Sequence, residues 1–164
     1  RSLAPIPRYN NKEAGDMIKS ETAFWKHLRD NKFPKTADTH YSRVESHATS
    51  TGIPDLDCCH DGFSFYLELK HSDGKDFELR PAQHRWIQDR FKAGFFNVWI
   101  LALHQPTETV LLIHGRFSRM LIERPRVCDW NKVACASWPL RDFTFDDMIT
   151  TMKQTEAAWV PTQE

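Results

Sequence analysis

Residues 63–70 read Phe63-Ser64-Phe65-Tyr66-Leu67-Glu68-Leu69-Lys70. Phe63, Phe65, Leu67 and Leu69 alternate with Ser64, Tyr66, Glu68 and Lys70, the period-two pattern of a strand with one apolar face. His60-Asp61-Gly62 precedes it, a hairpin signal because Asp-Gly tolerates positive φ. Pro54-Asp55-Leu56-Asp57-Cys58-Cys59 therefore reads as the antiparallel partner. The arms are of nearly equal length, so Asp55 and Glu68 meet at one end of the pair. Lys70 lies on the same face as Glu68.

Upstream, Asn11 to Asn31 carries Met17, Phe24 and Leu28, with Ala14, Ile18 and Trp25 offset, at helical spacings. Ser20-Glu21 can start a fresh turn within it. Tyr41 to Ala48 reads as a strand. Downstream, Leu79-Arg80-Pro81 opens a helix that runs to Ala93 and stops near Gly94. Asn97 to His104 is nearly all apolar, as in a strand covered on both faces. Thr109 to His114 is another strand and Phe117 to Ile122 a short helix. The pattern weakens after Pro125, until Asp146 to Lys153 predicts a last amphipathic helix. The predicted fold class is α/β, a mixed sheet flanked by helices.

With 164 residues, 40% apolar and 27% charged, the composition is that of one ordinary globular domain. No apolar run is long enough to span a membrane, and Arg1 to Arg8 show no signal peptide, so an intracellular protein is expected. Cys58, Cys59, Cys128 and Cys135 lack zinc-ligand spacing and read as reduced thiols. The histidines form no metalloprotease motif. Net charge is zero, with 22 basic and 22 acidic residues. It is segregated: residues 1–35 hold eight basic against four acidic side chains, and residues 116–132 hold five against two. That permits a polyanion-binding face on a neutral protein.

Two carboxylates that converge beside an ammonium are costly unless a cation joins them. A hard divalent ion such as Mg2+ suits oxygen ligands, with the Leu69 carbonyl as a further donor. Lys70 can then orient a water or a phosphate oxygen. This is equipment for metal-assisted phosphodiester hydrolysis.

Gly52-Ile53-Pro54-Asp55, twelve intervening residues and Glu68-Leu69-Lys70 resemble the PD-(D/E)xK nuclease signature. Thr51-Gly52-Ile53-Pro54-Asp55-Leu56, then Tyr66-Leu67-Glu68-Leu69-Lys70, Leu79-Arg80-Pro81-Ala82-Gln83 and Gly94 are similar to its VRR-NUC branch. Holliday-junction resolvases and phage nucleases are similar in layout. The resemblance covers about residues 15–115. It implies a restriction-endonuclease-like αβββαβ core, about 12–115 within a single nuclease domain of residues 1–164. A C-terminal extension, about 116–164, has no counterpart. It implies that Asp55 and Glu68 bind Mg2+, with Mn2+ as a substitute, and that Lys70 assists the attacking water. A glutamate from the first helix also reaches the site in that family. Glu21 is the choice here, with Glu13 and Glu45 as alternatives. Gln83 matches a glutamine at the start of the second helix. His47, His60 and His71 lie near the motif in sequence.

The expected activity is Mg2+-dependent DNA endonuclease cleavage, selective for branched or junction DNA over sequence. A flap or plain duplex is the alternative substrate. By analogy the protein acts as a homodimer, in a cytoplasm such as that of a phage-infected bacterium. The alternatives are a non-cleaving nucleic-acid-binding module on the same fold, or an exonuclease or RNA-directed nuclease.

Overall fold

The computed structural model describes residues 17–44 and 52–158, with side chains as far as Glu156. In order these form α1 (Glu21–Asn31), β1 (Thr39–Arg43), β2 (Leu56–His60), β3 (Phe63–Ser72), α2 (Pro81–Lys92) and β4 (Val98–His104). Then follow β5 (Thr109–His114), α3 (Ser118–Glu123), α4 (Val127–Val133), β6 (Ala136–Pro139) and α5 (Phe145–Ala158). The strands make one six-stranded sheet in chain order. Only β3 and β4 run parallel, joined by α2; every other neighbouring pair is antiparallel. The protein is therefore an α/β fold with a mixed sheet flanked by helices.

The β2–β3 hairpin turns through Asp61 and Gly62, both at positive φ (46° and 78°). The alternation in β3 divides two cores. Phe65, Leu67 and Leu69 pack with Phe24, Trp25 and Leu28 of α1 and with Met148 and Met152 of α5. On the other face, Ile100, Ala102, Leu111 and Ile113 pack with Ile87 of α2, Leu121 of α3 and Trp130 of α4. Val98 to Leu103 are buried on both sides, as their continuous apolar run predicts.

Several boundaries differ from the sequence reading. The first helix begins at Glu21, and Met17 to Ser20 are not helical. The Ser20 hydroxyl accepts from the Ala23 N–H at 3.0 Å, satisfying a free donor of the first turn and ending the helix there. Met17, assigned to the apolar stripe, is 63% exposed. β1 begins at Thr39, because it pairs with His60 at the hairpin end of β2. Residues 45–48 of the expected strand, and 11–16 of the expected helix, lie outside the described residues.

The C-terminal part is not an appendage. β6 adds a strand beside β5. Trp130 of α4 stacks on Phe77 with centroids 4.7 Å apart, and its Nε1–H donates to the Leu121 carbonyl. All four cysteines are free, and Cys58 is buried in the core. Among the described residues no helix is long and apolar enough to cross a membrane.

Candidate functional site

The β2–β3 register ends at Leu56 opposite Leu67. One step further along the chain sets Asp55 opposite Glu68. The Asp55 Oδ2 accepts the Leu69 N–H at 2.8 Å, and the Asp55 carbonyl accepts the Val44 N–H at 2.8 Å. Asp55 is thus fixed from both sides just beyond the end of β2. Its carboxyl lies close enough to that of Glu68 to raise the Glu68 pKa. In a strand the N–H and C=O of one residue point to the same edge. The Leu69 carbonyl therefore faces the same gap as its N–H.

Glu68 and Lys70 project from the strand face that α2 covers. They are 3% and 4% exposed, so this face is not a solvated one. α2 begins above them with Pro81 at its first position, where no N–H is needed. Gln83, also buried, joins the three groups. Its Nε2 donates to Glu68 Oε1 at 2.6 Å, and its Oε1 accepts from Lys70 Nζ at 3.0 Å and from the Arg80 N–H at 2.9 Å. Lys70 Nζ lies 3.5 Å from Glu68 Oε1. The amide can take only this orientation, since both groups facing Oε1 are donors.

Glu21 reaches the cluster from the first turn of α1, its Oε1 3.9 Å from Lys70 Nζ. Phe24, Trp25 and Leu28 anchor that helix, and Ser20 sets where it starts. The preceding segment is tied down by His71, whose Nε2 donates to the Ile18 carbonyl at 2.7 Å. His60 instead bonds Thr39 Oγ1 at the far end of the hairpin, away from Asp55. Glu13, Glu45 and His47 lie outside the described residues, so Glu21 is placed here without reference to its rivals.

Charge in the cluster is unbalanced. Burial holds the Glu68 carboxyl well above the usual carboxylate range, and the nearby Asp55 raises it further, against the opposing pull of Lys70. Glu21 is also raised, mainly by burial and partly by Asp55, again opposed by Lys70. Glu68 and Glu21 lie 3.5 and 3.9 Å from one buried ammonium, and Asp55 stands opposite Glu68. The donors are all hard oxygens, which suits a hard cation bound through two carboxylates and several waters. The fit is of that kind only: among the described residues no three His, Cys, Asp or Glu side chains form a ready metal cage. Glu21 stops at Lys70.

Gly52 has a role that its place in the motif does not reveal. At φ +94°, its backbone lies against the first turn of α2, where a Cβ would fall 2.1 Å from the Ala82 carbonyl oxygen. This approach holds the segment leading to Asp55 against the helix that carries Gln83. A cavity of about 780 Å3 lies elsewhere, lined by Lys75, His104, Thr109, Arg126 and Asn131 among others, and includes none of the carboxylate cluster.

No protein-family model matches the chain, and no curated protein matches its sequence.

Proposed function

We propose that this protein is a Mg2+-dependent DNA endonuclease with a PD-(D/E)xK core of the VRR-NUC type. The observation that carries this reading is the buried Glu68–Lys70 pair with Asp55 opposite it. Burying such a pair costs several kcal/mol of desolvation per ion, and apolar residues would serve the fold at least as well. The chain instead spends two core positions and a buried glutamine on it. The helix–three-strand–helix–strand order from Glu21 to His104 supports the same reading.

Asp55, Glu68, the Leu69 carbonyl and Glu21 would hold the ion. When bound, Mg2+ supplies Lewis acidity and lowers the pKa of a water. Lys70 orients that nucleophile or a phosphate oxygen. Gln83 keeps the ammonium aimed and occupies one Glu68 oxygen, leaving the other toward Asp55. The same cluster would act at the backbone of branched or junction DNA, and a homodimer would present two such sites.

The test is incubation of supercoiled circular, linear and four-way-junction DNA with Mg2+, Mn2+ or Ca2+. Nicking of circular DNA with Mg2+ or Mn2+ but not Ca2+ is expected. Digestion only from linear ends would make it an exonuclease. Binding without any cutting would make it a nucleic-acid-binding module.

A further inference from the structure

We propose that Tyr66, Trp86 and Arg90 form a stacking platform for one unpaired nucleotide next to the cleaved phosphate; this rests on the nuclease reading above. Tyr66 precedes Glu68 by two residues and shares its face, about 7 Å away along the strand. α2 runs back along β3: Gln83 bonds Glu68, and Trp86, one turn later, meets Tyr66 with centroids 5.1 Å apart. The Arg90 guanidinium lies 4.6 Å from the Trp86 ring centroid and 5.0 Å from that of Tyr66. All three side chains are only half-buried.

The flank of α2 that carries them is half-exposed, and Phe95 also meets Tyr66 there, with centroids 5.8 Å apart. At 100° per residue, Ile87 and Phe91 point to one side of the helix axis, Trp86 and Arg90 to the other. Ile87 and Phe91 approach Gly115 at the end of β5. Trp86 and Arg90 therefore line the flank toward β2 and β1. There the register puts Ser42 opposite Asp57, Asp57 opposite Tyr66 and His40 opposite Cys59, all on the Glu68 face. His40, Ser42, Asp57 and Ser64 are exposed. Among the described residues the result is an exposed polar wing of the sheet. The carboxylate cluster stands at its head, and the aromatic–guanidinium group forms its wall.

The chemistry of this wing selects a base. An exposed Asp57 repels a phosphate laid across the floor. A nucleobase is neutral, stacks on an aromatic or guanidinium plane, and leaves its phosphate to Arg90. Base pairs in an intact duplex present no free face, so the platform favours DNA with an unpaired nucleotide, as at a flap, gap or branch.

The test is fluorescence anisotropy with the full chain in Ca2+, using a fully paired duplex and the same duplex with a single-stranded flap. Base stacking predicts that Trp86→Leu and Arg90→Gln each weaken flap binding between about fivefold and about a hundredfold. Duplex binding should change less than about twofold, and Trp86→Phe should restore most flap affinity. Equal losses on both DNAs, no loss on either, or a wild type that binds no flap DNA would each overturn the platform. Selective loss in a protein that cuts nothing with Mg2+ or Mn2+ would uphold the platform and overturn the nuclease reading alone.

Discussion

The Lys70 ammonium donates to the Gln83 side-chain carbonyl at 3.0 Å, beneath the first turn of α2. Gln83 is thus the link between the helix and the charged strand face. Gln83→Met keeps the volume and removes every polar contact. Glu68 and Lys70 then lose buried partners, at a cost of about 1–3 kcal/mol. Urea unfolding should show this loss, and single-turnover cleavage should slow at least tenfold. An unchanged unfolding midpoint would mean that the Gln83 bonds contribute nothing.

Gly52→Ala should be worse than its size suggests. The φ of +94° disfavours any side chain, and the added methyl meets the Ala82 carbonyl. A stability loss well above 1 kcal/mol is expected. The Asp55 segment must also move off α2, so activity should drop. Gly62→Ala makes the comparison, since a Cβ there meets nothing within 4 Å. It should lose less stability and keep its activity.

Much of this was legible in residues 54–104. The alternation in β3, the Asp61-Gly62 turn and the apolar run of β4 each have one local cause, and the elements follow. The burial of Glu68 and Lys70 was not legible, because a solvated strand face has the same alternation; only the placement of α2 decides it. The helix start was misread because Ala14, Met17 and Ile18 continue the helical period past a real cap at Ser20. α4 has seven residues and β6 has four, too few for a period to show. Asp55 and Gln83 stood out by spacing, whereas the three bonds of Gln83 and the fit of Gly52 against Ala82 are tertiary.

Glu21→Gln should slow cleavage more than Glu13→Gln or Glu45→Gln. Glu21 lies 3.9 Å from the Lys70 ammonium and 47% of its side chain is exposed, so its loss leaves the core intact. Single-turnover rates with Mg2+ for all three variants decide it. A dead Glu45→Gln beside a normal Glu21→Gln would move this role to the segment after β1.

Acid should destabilise the protein through His114. Its Nε2–H donates to the Phe96 carbonyl and its Nδ1 accepts from the Arg116 N–H, which is the neutral ring. Burial, opposed by the bond to the Phe96 carbonyl and aided by the charge of Arg116, lowers its pKa from 6.5 to about 4. The unfolded chain therefore binds the proton first as pH falls. Stability from this group is complete above pH 6.5 and is lost between 6.5 and about 4, by at most roughly 3 kcal/mol. His114→Gln should flatten that part of the stability–pH curve. An identical slope in both proteins would exclude His114 as its source.

The proposed function stands on DNA cleavage by Lys70 and Glu68, both buried, together with the half-buried Asp55. Lys70→Met preserves the length of a side chain that is 6% exposed, so it leaves less of a cavity than alanine would. Single-turnover nicking of supercoiled DNA in Mg2+ is the direct measurement, with circular dichroism to confirm that each protein is folded. The wild type should nick, and Lys70→Met and Asp55→Asn should each be slower by a factor of about 100 or more, the range for loss of a positioned charge. A folded Lys70→Met that nicks within threefold of the wild type, or a wild type that nicks nothing, would contradict it.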